Sequence, residues 1–247
     1  MFKSLMLVGC AVLFTASAAF GAVIIIDDFE NPAAVVTMAS YEVGSADPDP
    51  QVGFHSGLPP ASTIGGRRDW QLDYIGGGGD GEQARARIVG TSPDQFLSFS
   101  NEGNIQSELM LTYGAAGNLD ADFSSQAGLE LYVRYADQAS YVFVEVISNA
   151  ETTSDYAFAS YLIPADANPQ MIFIPGADFP GIDGSDIDWI QFTFGLATPV
   201  VDPRAERSYV PGLDLQIDQI TSSDIPEPCT MSLLALGGLA LLTRRRK

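Results

Sequence analysis

The chain has 247 residues, 46% of them hydrophobic, and 31 acids against 12 lysines and arginines, for a net charge of −19. That length holds one large domain or two small ones. So acidic a surface repels polyanions, which excludes nucleic acid as a partner and argues against anionic lipid for the soluble body.

The N-terminus reads as a secretory signal peptide over residues 1–21: Lys3, an apolar run from Leu5 to Phe14, then the small residues Ala16, Ser17, Ala18 and Ala19. Export through the translocon follows. Leu7-Val8-Gly9-Cys10 has the outline of a lipoprotein box, but little apolar sequence precedes Cys10 and the apolar run continues past it, so it is set aside.

The body, residues 22–224, alternates short β-type segments with turn residues. Val23–Asp28 is a β-branched run, and Val35–Val43 a weaker strand. Ala46–Pro60 is rich in Pro, Gly and Asp and reads as a loop. Arg68–Ile75 and Gln83–Val89 alternate around the glycine run Gly76–Gly81, which reads as a hairpin turn. No Lys-Ser/Thr follows those glycines, so they form no phosphate loop. Further strands are expected at Gln95–Ser100, Glu108–Tyr113, Leu129–Tyr135, Tyr141–Ser148, Tyr156–Ile163, Met171–Pro175, Trp189–Leu196 and Leu213–Ile220. No capped segment with a 3.6-residue period interrupts them. The expectation is an all-β fold, one antiparallel jelly-roll-like β-sandwich.

The last 23 residues, 225–247, have a different character. Pro226, Glu227 and Pro228 precede an uncharged apolar run, Met231–Leu242, and a basic end, Arg244, Arg245, Arg246 and Lys247. A helix of that length spans about 18 Å of a hydrocarbon core of roughly 30 Å. The basic cluster is nevertheless the stop expected on the cytoplasmic side of a transmembrane helix. The pattern suits a short-lived anchor, with a permanent single-pass anchor as the alternative. Both cysteines, Cys10 and Cys229, lie in the two ends. The body keeps seven arginines against thirty acids, a charge of −23, and no cysteine, so a hydrophobic core rather than disulfides must hold it.

Few constellations in the body point to chemistry. Asp27, Asp28 and Glu30 close the first strand and Asp218 lies in the last; terminal strands of a jelly roll commonly neighbour one another, so these oxygens are candidate ligands of a structural Ca²⁺, with Asp69 a further one. Asp178–Asp188 lacks the Glu and spacing of an EF-hand loop and reads as a turn. His55 is the only histidine, with no Cys, Lys or Gly-x-Ser-x-Gly beside it in the body, so neither nucleophilic catalysis nor zinc is expected. Thirty acids make some carboxylate pair inevitable, which says nothing for a glycosidase. The body is expected not to be an enzyme. Trp70 and Trp189 are candidate sugar-stacking residues, with Tyr74, Tyr132, Tyr135 and Tyr141 as lesser ones; core packing is the alternative for each.

The tail resembles the PEP-CTERM sorting domain of exosortase-containing bacteria, with Pro226-Glu227-Pro228 as its signature and Cys229 where serine is usual. The resemblance implies transient membrane anchoring, cleavage by exosortase, and a cell-surface or extracellular-matrix protein with a structural or adhesive role. The segments VIIIDDFE, IGGRRDW and DLQIDQI are similar to bodies of other PEP-CTERM proteins and to jelly rolls of carbohydrate-binding modules. That second resemblance implies exopolysaccharide as a partner.

Overall fold

The computed structural model describes residues 23–30, 36–46, 49–115, 119–149 and 155–224. The signal peptide and the sorting segment, with Pro226, Glu227, Pro228, Arg244, Arg245, Arg246 and Lys247, lie outside the described residues. Among the described residues no helix is long and apolar enough to cross a membrane.

The described residues form thirteen strands: β1 (Ile25–Asp27), β2 (Val36–Glu42), β3 (Gln51–Ser56), β4 (Arg67–Gly76), β5 (Gln83–Val89), β6 (Phe96–Asn101), β7 (Gln106–Tyr113), β8 (Gln126–Ala136), β9 (Ser140–Ser148), β10 (Asp155–Ile163), β11 (Gln170–Pro175), β12 (Ile187–Leu196) and β13 (Asp214–Asp224). They make two sheets. One runs β11-β8-β13-β6-β5-β2, with β1 also on β13; the other runs β10-β9-β12-β7-β4-β3. Alternation builds the sandwich directly. In β5, Ala84, Ala86 and Ile88 are fully buried while Arg85 and Arg87 take the other face. In β9 the core takes Val142, Val144 and Val146, and in β12 it takes Ile190, Phe192 and Phe194. The expected all-β sandwich is therefore present. Its terminal strands are neighbours: Ile25 pairs with Thr221, and Ser222 N–H donates to the Ile24 carbonyl at 2.8 Å.

Three details differ from the sequence reading. Gln51–Ser56, inside the expected Pro/Gly/Asp loop, is the edge strand β3, paired with β4 from Gln51–Leu72 to Ser56–Arg67. Its pattern was masked because its outward residues are apolar: Val52 and Phe54 are 64% and 55% exposed. The glycine run is not a hairpin turn, since β4 and β5 lie in opposite sheets and the run carries the chain between them. Gly77, with φ +79°, passes so close to β7's approach that a Cβ would lie 2.1 Å from the Asn104 carbonyl oxygen. Likewise Leu129–Tyr135 and Tyr141–Ser148, which the polar turn Ala136–Ala139 marks in the sequence as a linked pair, fall in β8 and β9 of different sheets.

Gly53 faces Trp70 across the β3–β4 pair, and an alanine Cβ there would sit 2.3 Å from the indole ring. Gly53→Ala is therefore expected to overpack this edge and cost about 1–3 kcal/mol. Urea denaturation should show the loss, and Trp70→Leu in the same chain should recover part of it.

Candidate functional site

Of the acids that close the first strand, Asp27 forms a buried ionic centre. Asp27 and Arg68 are both fully buried, and the Arg68 guanidinium binds both carboxylate oxygens. Tyr113 O–H donates to Asp27 Oδ2 at 2.7 Å, and Phe29 N–H donates to Oδ1 at 2.8 Å. Arg68 also lies 5.0 Å from the Phe29 ring centroid. Burial, reinforced by the Asp27 charge, holds the Tyr113 phenol well above its ordinary pKa. His55, half-buried with Nδ1 3.5 Å from Arg68 Nη1, is pushed below its ordinary value by burial and then by that cation. Such a histidine, facing an arginine and a spoken-for aspartate, is placed as a neutral packing group.

The structure does not gather the predicted Ca²⁺ ligands. Asp27 is saturated by Arg68, Tyr113 and a backbone N–H. Asp28 accepts from Glu30 N–H at 2.9 Å, and its carboxyl is raised chiefly by burial. Glu30 Oε1 accepts from Gln95 N–H at 3.2 Å. Asp218 pairs with Arg134, which also holds Asp94. Asp69 pairs with Arg67. Among the described residues, the acids whose oxygens do converge, all within 4.8 Å, are Asp120, Asp186 and Asp188. Asp186 is raised by partial desolvation and by Asp188 and Asp120, the repulsion a hard cation would relieve. The segment Asp178–Asp188 does form turns, as its composition suggests: Asp183 Oδ1 accepts from both Ser185 N–H and Ser185 O–H.

The two tryptophans part company. Trp70 packs against the core, with Nε1 enclosed and without an acceptor among the described residues. Trp189 pairs with Ile147 and shares the outer face of the six-stranded sheet. Of the tyrosines, Tyr74 stacks on Tyr41 at 4.7 Å, and Tyr132 donates to Glu130 on the opposite sheet.

The outer face of the six-stranded sheet carries the most organised polar surface. Registers align one residue from each strand into a row: Phe54, Asp69, Thr112, Gln191, Glu145 and Phe158. At roughly 4.8 Å per strand the row is about 24 Å long. Its centre is a hydrogen-bonded relay. Thr112 O–H donates to Gln191 Oε1 at 3.0 Å, Gln191 Nε2 donates to Glu145 Oε2 at 2.9 Å, and Tyr156 O–H donates to Glu145 Oε1 at 2.6 Å. Burial, and then that bond to Glu145, raises the Tyr156 phenol. The row ends in aromatic rings on both sides. Phe54 lies under the Arg67 guanidinium at 4.1 Å, and Phe158 lies beside Tyr156, which is 44% exposed.

One flank of this face is covered by its own chain. The segment 197–212 folds over Phe143, an outward residue that is nonetheless fully buried. Arg207 sits 5.1 Å from the Phe143 ring and pairs with Glu108 at 3.3 Å, while Ser160 Oγ accepts from Val200 N–H. Glu108 is raised chiefly by burial, against the pull of Arg207. The strap leaves the row from Phe54 to Phe158, with Trp189 and Tyr156 beside it, uncovered, and within the row Glu145 is 9% exposed. No single-strand alternation reveals this row, because it depends on the registers of five strand pairs.

No protein-family model matches the sequence, and no curated protein matches it. Among solved structures the chain is similar to the family 11 carbohydrate-binding module of a cellulosomal cellulase of Clostridium thermocellum, with 16% identity and a TM-score of 0.41 over 83% of this chain and 95% of that one. It is similar to a family 30 carbohydrate-binding module, with 14% identity and a TM-score of 0.38 over 77% and 99% of the two chains. It is also similar to a DUF4465 family protein from Bacteroides caccae, with 9% identity and a TM-score of 0.37 over 81% and 98%.

Proposed function

We propose that this is an exported cell-surface or matrix protein that holds uncharged polysaccharide on the outer face of its six-stranded sheet, an adhesive role without catalysis. One observation carries the reading: the row from Phe54 to Phe158, with amide, hydroxyl and carboxylate groups between aromatic ends. Sugar hydroxyls both donate and accept, so they match a Thr-Gln-Glu-Tyr relay, while ring faces stack on aromatic side chains. Asp69 and Glu145 on the row, and the body charge of −23, favour a neutral glycan over an anionic one.

Export by the signal peptide, transient anchoring through 225–247 and processing by exosortase at Pro226-Glu227-Pro228 complete the proposal. Mass spectrometry of the mature protein from cells with and without exosortase tests the sorting: a C-terminus shortened only where exosortase is present is expected, and an intact one in both contradicts it.

The two tryptophans make the glycan reading testable by fluorescence. Soluble neutral oligosaccharide is expected to change the emission of the protein, and Trp189→Phe is expected to remove the change while Trp70 stays silent. An undiminished response in Trp189→Phe, or no response in the parent, counts against the assigned face.

A further inference from the structure

A second site lies between the sheets at one end of the sandwich, away from the polar row. There a cavity of about 360 Å³ opens to solvent. Its interior is apolar, formed by Leu129 of β8, Val146 of β9, Ile190 of β12 and by Phe123, Phe179 and Ile182 of the end loops. An engineered cavity of about 150 Å³ accommodates one benzene ring, so this one has room for a body of about two fused rings. Cavities of this size and lining are the ordinary form of small-molecule sites.

The mouth is polar and one-signed. Two Asp-x-Ser turns meet there, Asp122–Ser124 and Asp183–Ser185, joined by Phe123 N–H donating to the Gly184 carbonyl at 2.6 Å; Asp183 lines the mouth itself and Asp122 lies in the adjoining turn. In each turn the carboxylate accepts from the serine N–H and O–H, which lowers both carboxyls and keeps them charged. Ser124, Asp183 and Ser185 line the opening, and no lysine or arginine among the described residues does. Asp120, Asp186 and Asp188 add negative field from the same loop region. An apolar interior beneath two fixed carboxylates selects by shape inside and by charge outside.

We propose that this end cavity binds a small cationic amphiphile, a flat apolar body of about two fused rings carrying an ammonium group. The body enters between Leu129, Val146 and Ile182, and the ammonium remains at the mouth beside Asp183 and Asp122. The site is independent of the glycan face and stands or falls separately from it.

Isothermal titration of the purified full chain with three isosteric probes tests the assignment: 2-naphthylmethylammonium, 2-naphthylmethanol and 2-naphthoate. The ammonium compound is expected to bind best and the carboxylate worst. Asp183→Asn keeps its turn, because an amide oxygen still accepts from Ser185, and should weaken the ammonium compound about two- to fivefold while leaving the alcohol unchanged. Ile182→Trp, at a half-buried loop position of the lining, should fill the cavity and remove binding of all three. Absence of binding by the ammonium compound, equal binding of 2-naphthoate, or undiminished binding by Ile182→Trp would each overturn the proposal.

Discussion

Arg68→Met is expected to be the most damaging single change in the body, costing about 3–5 kcal/mol of folding stability. The guanidinium is fully buried and binds both oxygens of an equally buried Asp27. Its removal leaves that carboxylate facing only Tyr113 O–H, the Phe29 N–H and a distant Thr63 hydroxyl at 3.5 Å. For a domain of this size the cost corresponds to a melting temperature lower by roughly 6–20 °C. The damage comes from the stranded charge, not from lost volume, so the triple change Arg68→Met, Asp27→Leu, Tyr113→Phe should recover most of it. Urea midpoints of the single and triple variants separate the two causes. A triple variant as weak as the single would mean that the centre is needed for packing rather than for charge balance.

Tyr156→Ala and Phe54→Ala are expected to cut glycan retention about tenfold each, about 1.4 kcal/mol, without changing stability appreciably. They sit at opposite ends of the polar face, on the edge strands β10 and β3, 44% and 55% exposed. Each ring is about half exposed on an edge strand, so any loss of folding stability is expected to be small beside the loss of retention. Their separation adds a length dependence. A chain long enough to span the row meets both rings, whereas a disaccharide meets one. The double variant should therefore lose more with a long polysaccharide than either single variant, and no more than the worse single variant with a disaccharide. Competition gels with graded oligosaccharides measure this.

Strands were legible wherever one face is apolar and the other polar, as in β5 with its alternating alanines and arginines. Edge strand β3 was not, because its outward side carries Val52 and Phe54 and its inward side Gly53 and His55, reversing the usual signal. Strand position did not reveal sheet membership. Short links at Gly76–Gly81 and Ala136–Ala139 look like hairpin turns but join opposite sheets, a choice made by packing rather than by turn chemistry. The neighbouring of the first and last strands was legible from the jelly-roll expectation, and β1 does pair with β13. Asp27, however, met Arg68, a residue 41 positions away whose burial nothing local announced. Trp70 and Trp189 look alike in sequence. Gly53, by leaving room for one indole, decides which of them is core.

The most direct measurement is retention of the protein on a gel of neutral polysaccharide, comparing changes on the two outer faces of the sandwich. Gln191→Ala breaks the relay from Thr112 to Glu145, whereas Met171→Ser with Phe173→Ser removes exposed apolar residues, 48% and 41% accessible, from the edge of the other sheet. Retention is predicted to fall about tenfold with Gln191→Ala and to stay at the parent level with the Met171/Phe173 pair. Parent-level retention with Gln191→Ala, or loss confined to the Met171/Phe173 pair, would contradict a glycan site on the six-stranded sheet.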